Sequence, residues 1–315
     1  MARTHLLASA LLAATLLGGG PGRAESGNGP FTVTETGQSY GSLQEAVSAI
    51  GEGQGTIRIA SGRYRDCAVQ EAGTITFAAA EPGGAVFDGG MCEEKATLVL
   101  RGHGARVEGL TFTHMRVPDG NGAGIRIEQG DLVVSESMFA DGQCGILSAN
   151  DANSTVTIDH STFSQLGKHP DGNGAHSVYI GHYGRAVVTN SRFERGTGGH
   201  YLKIRAPRVE ISGNSFDDSQ GRDTNYMIDL PEGAVGRIAD NTFVQGTGKE
   251  NYGTFIAVHA EDGDNPSAGL IIEHNTAWLV PGFAWATAFI GDWSGEALVI
   301  RDNRLAAGIT PFQRH

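Results

Sequence analysis

Apolar residues recur along this chain at a spacing far longer than that of a helix turn or a single strand. Phe112, Phe139, Phe163, Phe193, Phe216 and Phe243 follow one another at intervals of 23 to 30 residues, and Ala277 and Leu305 continue the column in the same context. Five positions before each marker stands a β-branched apolar residue: Val107, Val134, Ile158, Val188, Ile211, Ile238, Ile272 and Ile300. Seven positions before stand Ala105, Leu132, Val156, Ala186, Val209, Gly236, Leu270 and Leu298, all small or apolar. The residue between is unconstrained (Arg106, Thr157, Glu210). Period-two alternation with one buried face, once per repeat, predicts a short strand in every repeat.

A second strand per repeat follows from the pairs Ile125/Ile127, Ile146/Ser148, Val178/Ile180, Leu202/Ile204, Ile228/Leu230, Ile256/Val258 and Ala288/Ile290. Repeats of this length, built from short strands that stack in parallel, predict an all-β, right-handed, single-stranded parallel β-helix, a one-dimensional solenoid. The hexapeptide PDGNGA, at Pro118–Ala123 and again at Pro170–Ala175, reads as one glycine-rich turn met two coils apart. Two residues before the markers, from the second repeat on, come Ser137, Ser161, Ser191, Asn214, Asn241, Asn275 and Asn303. Stacked hydroxyls and amides of this kind can hydrogen-bond from coil to coil, which makes them structural.

The chain's opening has a different pattern. Residues 1–24 carry Arg3, a short apolar run from Leu6 to Leu17 and then small residues, the layout of a cleavable secretory signal. The run is shorter than the roughly 20 residues that span a bilayer, and no later stretch is apolar enough, so no membrane span is expected. Residues 25–315 are expected to form a single β-helix domain in a secreted or periplasmic protein, as a monomer. A short amphipathic helix over about 42–50 is positioned to cap the open end, with Ser42 as N-cap, Glu45 three residues on, and Leu43, Ala46, Val47 and Ile50 on one face.

Composition narrows the partners. The 315 residues hold 35 acidic and 23 basic side chains, a formal charge of −12. That argues against a nucleic-acid partner, and it requires any anion site to be a local basic patch on an acidic body. Cys67 and Cys92 lie about one coil apart, within disulfide reach if their coils stack, leaving Cys144 free.

Candidate chemistry lies on the second strand, where side chains between the buried pairs face outward. They run Arg126, Leu147, Tyr179, Lys203, Asp229, Ala257 and Phe289, with Arg205 two residues beyond Lys203 and His176 and His200 at the leading edge. His176, Tyr179, His182, His200, Lys203, Arg205 and Asp229 thus fall on three consecutive coils, a concentration of proton-transfer groups suited to acid–base chemistry on a sugar. Taken singly, each has a plainer reading as a turn residue or a cross-strand ion pair such as Lys203 with Asp229. The histidines with Asp229 could hold a metal, but no HxH, HExxH or CxxC spacing marks such a site, so no cofactor is expected and calcium stays open without a motif.

The segment GTIRIASGRYRDCAV, following the helix, resembles the opening of the pectin-lyase-like β-helix superfamily, whose members often pass from a capping helix into a strand ending in Gly-x-Tyr. GGHYLKIRA followed by NYMIDLPEGAVGRIADNTF is similar to a group of secreted bacterial β-helix proteins. More remotely, an outward Lys resembles the base of β-helix polysaccharide lyases such as chondroitinase B and related alginate lyases. In those an Arg on the following coil assists and calcium neutralises the uronate. Lys203 matches that Lys. The following coil carries Asp229 in place of the Arg, with Arg205 close by.

What the resemblance implies is a lyase, or a related C5-epimerase, acting on an acidic polysaccharide. Lys203 or His200 would be the base, and Tyr179 or His176 the acid. Arg205 would neutralise the uronate and Asp229 would hold Lys203, with His182 and Arg126 as further substrate contacts. The competing expectation is a non-catalytic glycan-binding protein, for which Tyr179, Tyr183, Tyr201 and Phe289 would supply exposed aromatics.

Overall fold

The computed structural model describes residues 29–167 and 175–315. The leader-like residues 1–24 and all of the second PDGNGA turn except Ala175 lie outside them. Among the described residues the chain is a parallel β-solenoid with three sheets of 12, 10 and 10 strands. One coil serves as the pattern: Gly104–Glu108 in the first sheet, Thr111–Thr113 in the second and Ala123–Ile127 in the third. Strands of the coils pair in parallel with their counterparts one coil away, as in Leu132↔Val156, Phe139↔Phe163 and Lys203↔Asp229, while Phe31–Val33 and Gln38–Tyr40 add an antiparallel edge to the first sheet.

Sequence periodicity implies two strands per coil, and the structure has three. The phenylalanine markers occupy a strand of their own, three or four residues long, and most of these strands bury a single side chain. Such a strand is too short to show alternation. Its rings stack down the interior, with centroids 4.8–5.0 Å apart from Phe112 to Phe243. Phe87 and Tyr64 extend the stack toward the N-terminus. Gly124 and Gly145 make room for it, since a Cβ on either would come within 2.7 Å of the ring of Phe139 or Phe163.

Seven of the eight β-branched column residues are fully buried, and Ile300, near the C-terminal end, is half-buried. The polar ladder runs beside them. Ser161 Oγ accepts from the Ser137 amide at 3.3 Å, Asn241 Oδ1 from the Asn214 amide at 2.9 Å, and Asn275 Oδ1 from the Asn241 amide at 3.0 Å. The residue before each rung turns the corner between the first and second sheets in the left-handed region, for example Glu136 (φ 49°) and Asp240 (φ 57°).

At the N-terminal end, the helix Leu43–Ile50 buries Leu43, Ala46 and Val47 against the first strands. Ser42 and Glu45 close a reciprocal capping box at its start. Cys67 and Cys92 are joined by a disulfide across adjacent coils, and Cys144 is free and buried. Burial pushes the Cys144 thiol up to about 12. Among the described residues no helix is long and apolar enough to cross a membrane.

Candidate functional site

The third sheet presents the polar face. Parallel pairing places Tyr179 beside Lys203 and Lys203 beside Asp229, so neighbours on this column are one strand spacing apart, about 4.8 Å. The sequence implies that all three face solvent. In the structure Lys203 is only 7% exposed and Asp229 only 2%. The cover comes from turns that carry Glu232 and Glu261.

These glutamates complete an ion-pair network. Lys203 Nζ lies 3.2 Å from Asp229 Oδ2 and donates a short hydrogen bond to Glu261 Oε1. The Arg205 guanidinium meets Glu261 Oε2 through one terminal nitrogen and Glu232 Oε1 through the other. Its Nε donates to the Tyr179 hydroxyl at 2.9 Å. His182, more than half exposed, closes the outer edge with Nε2 2.8 Å from Glu232 Oε2.

The two histidines form a second cluster. His176 Nδ1 accepts from the His200 backbone amide at 3.1 Å and faces His200 Nδ1, also at 3.1 Å. An imidazole nitrogen that accepts from an amide carries no proton, so the hydrogen between the rings belongs to His200. His200 Nε2 then faces Asp229 Oδ2 at 3.4 Å. Gly199 permits this approach: it sits at φ 62°, and a Cβ there would lie 2.0 Å from the Ala175 carbonyl oxygen and 3.0 Å from His176 Nδ1.

Burial sets the protonation states. It holds His176 down to about 3, helped by the Lys203 charge, and His200 well below the usual imidazole value. Burial also raises Asp229 to about 6 against the pull of Lys203. Asp229 Oδ1 is buried with no hydrogen-bond partner, which fits a carboxyl that readily takes a proton. Arg205 is partly buried, which works against its charge, yet Glu261 and Glu232 hold it firmly protonated.

Beside the cluster opens a groove of about 620 Å³. His176 and Tyr179 form one end, Cys144, Leu147 and Ser148 contribute to its lining, and Lys95 and Arg126 stand toward the other end. Arg126 is two coils from Tyr179 and lies 3.4 Å from Glu128. The structure therefore gathers Tyr179, Lys203, Arg205, Asp229, His176, His200 and His182 into one connected group, with Arg126 apart from it across the groove. Tyr183, Tyr201 and Phe289, which the sequence offers as exposed groove aromatics, are instead in the core at 0–1% exposure. Tyr201 instead donates to the buried Asp218 at 2.7 Å.

A calcium ion of the kind implied by the remote lyase resemblance does not fit here. Such an ion needs six or more oxygen ligands, and the nearby carboxylates of Asp229, Glu232 and Glu261 are already engaged by Lys203 and Arg205. Among the described residues no three His, Cys, Asp or Glu side chains form a metal-holding group.

The architecture is that of a β-solenoid carrying a polar cluster on one outer face. The pattern described as a right handed beta helix region matches residues 96–303, and the chain belongs to that family. No curated protein sequence matches it. Among solved structures, an alginate lyase from Paenibacillus sp. str. FPU-7 aligns with a TM-score of 0.48 at 16% identity, over 86% of this chain and 94% of its own. The PL6 family alginate lyase AlyGC aligns at 0.41 and 15%, over 80% of this chain and 36% of its own, so this chain spans about a third of that protein.

Proposed function

We propose that the protein is a polysaccharide lyase that acts by β-elimination on a uronic-acid-containing glycan. The observation that carries this reading is the junction of groove and cluster. Tyr179 and His176 face an open groove on a rigid sheet, and the paired cations Lys203 and Arg205 lie directly behind them. Elimination on a uronate needs those two things together. One is a cationic cradle for the carboxylate, which makes the C5 proton removable. The other is a pair of groups that accept that proton and return one to the departing oxygen. As the C5–H electrons form the C4–C5 double bond, the bond from C4 to the bridging oxygen breaks, and that oxygen leaves with a proton.

The structure shifts the weight among the expected roles. Lys203, held between Asp229 and Glu261, is suited to anchor a carboxylate rather than to act as a base. Proton transfer then falls to Tyr179, fixed at its oxygen by Arg205, and to the neutral His200–His176 pair. A C5-epimerase would share the first step and differ only in returning the proton to the opposite face. The burial of Tyr183, Tyr201 and Phe289 leaves only Tyr179 of the four candidate aromatics on the groove, which disfavours a purely binding role. The Cys67–Cys92 disulfide supports a secreted or periplasmic setting.

The test is incubation with a panel of uronic-acid polysaccharides while following the ultraviolet absorbance of unsaturated uronate. Release by the parent protein, lost in Tyr179→Phe, is the expected outcome. A parent protein inert on every polyuronate, with no epimerised product by NMR, would overturn the reading.

A further inference from the structure

The cradle assigned to the substrate carboxylate is already filled. Glu261 places one carboxylate oxygen on Lys203 and the other on Arg205, which is the two-point contact that a uronate would make. Exposure separates it from the other two acids of the network. Asp229 is buried beneath Lys203 and Glu232 is largely enclosed between Arg205 and His182, whereas the Glu261 side chain is 44% exposed. Its backbone is pinned, since its amide donates to the Pro231 carbonyl at 2.8 Å, the His259 amide donates to Leu230 at 2.8 Å, and Asn265 Nδ2 donates to Arg205 O at 3.1 Å. Only the side chain has to rotate for the cradle to open.

Charge gives the same answer. Two cations face three carboxylates here, Asp229, Glu232 and Glu261. A fourth carboxylate on the same cations would meet uncompensated repulsion in a poorly solvated place. An exchange leaves the count unchanged: the uronate enters as Glu261 swings out to water. Partial burial works against the Glu261 charge, but Lys203 and Arg205 hold its carboxyl below the usual carboxylate range, so it competes as an anion.

Resting on the lyase reading for the identity of the ligand, we infer that Glu261 is a built-in carboxylate occupant of the uronate cradle, displaced by substrate. It sets the affinity of the site and restricts it to sugars that bring a carboxylate of their own. A neutral sugar offers nothing to replace either contact and leaves Glu261 in place.

The experiment is a binding measurement that needs no turnover. Glucuronate and galacturonate are titrated into the parent protein and into Glu261→Gln by calorimetry, with glucose as the neutral control. Glu261→Asp serves as a second variant that keeps the charge but shortens the reach. If the open rotamer is populated about one tenth of the time, Glu261→Gln should bind uronate about tenfold tighter. Glu261→Asp should fall between it and the parent, and glucose should be unaffected. Equal or weaker uronate binding by Glu261→Gln, or none at all, overturns the inference. If Glu261→Gln binds tighter but no variant cleaves a polyuronate, the cradle stands and the lyase reading falls. If the parent cleaves but Glu261→Gln binds no better, the reverse holds.

Discussion

Two columns run side by side along this solenoid and obey opposite rules. In the interior, one residue type is kept from coil to coil: Phe on Phe, β-branched on β-branched, Asn on Asn. On the outer face of the third sheet, the column reads Arg126, Leu147, Tyr179, Lys203, Asp229 and Ala257, a new chemistry at each step. A stack with a uniform neighbour gains from repetition, because each added coil makes the same contacts as the last. A column that changes at every rung gains nothing from stacking as such. Its residues have to be explained by what they meet sideways, which here is a groove on one side and two glutamate-bearing turns on the other.

The sharpest break of the comparison is Ile211→Asp. It sets a lone carboxylate into the uniform column between the fully buried, apolar Val188 and Ile238. Folding should be abolished, with no soluble monodisperse protein and no cooperative melt. A folded, secreted variant would show that the register is wrong.

Next comes the variable column. Lys203→Ala should lower turnover on a cleaved polyuronate by about 10²–10⁴-fold. Because it strands Asp229 in the interior, it should also cost about 3 kcal/mol of stability. The double variant with Asp229→Asn separates the two effects, since stability should largely return while turnover should not. Recovery of both in the double variant would mean that Lys203 only balances a buried charge.

Asn241→Ala tests the uniform column more gently. Asn241 accepts from the Asn214 amide and donates to Ile211 O at 2.9 Å and Asn275 Oδ1 at 3.0 Å. Its loss leaves a buried amide unsatisfied and should cost about 3 kcal/mol in denaturant unfolding, with turnover unchanged.

The smallest effect is in the pH dependence of stability. His176 titrates near 3 in the native protein against 6.5 when unfolded, and His200 shifts in the same direction. Between those limits the unfolded chain binds protons that the native pair refuses, so their contribution is full above pH 6.5 and is lost as pH falls. Asp229, raised from 3.8 to about 6, opposes this, because it favours the native state at low pH and that gain fades as pH rises through 6. Two groups outweigh one. The melting temperature should drop between pH 7 and pH 4, and His176→Asn with His200→Asn should flatten the drop. An unchanged slope would count against their burial as neutral groups.

Repetition also explains what could be read from the sequence. The solenoid, the buried column and the Ser/Asn rungs are legible because independent positions agree in register. The second sheet is not, since its strands are at most four residues long and most bury a single residue, too little for alternation to show. Tyr179, Lys203 and Asp229 could be placed together because they share a register position. Glu261 could not, lying 58 residues beyond Lys203 on the turn that follows the strand Thr254–Val258, outside any repeating position. Tyr183, Tyr201 and Phe289 mislead for a related reason. Tyr183 and Tyr201 flank polar strands and turn inward, whereas Phe289 lies within its strand and off the outward column, because Ala257 pairs with Gly291 and not with Phe289.

The rungs themselves change character partway along, and this has a mechanical consequence. Each serine passes its own proton to a carbonyl two residues back in the same coil, as Ser161 does to Asp159 O and Ser191 to Thr189 O. Each asparagine reaches across instead: Asn214 Nδ2 to Val188 O, Asn241 to Ile211 O, Asn275 to Ile238 O. The asparagine coils are therefore riveted three times where the serine coils are riveted once. Cys144, His176 and Tyr179, and with them the groove, belong to the singly riveted stretch. Fewer side-chain bonds therefore cross between coils beside the groove than in the asparagine stretch.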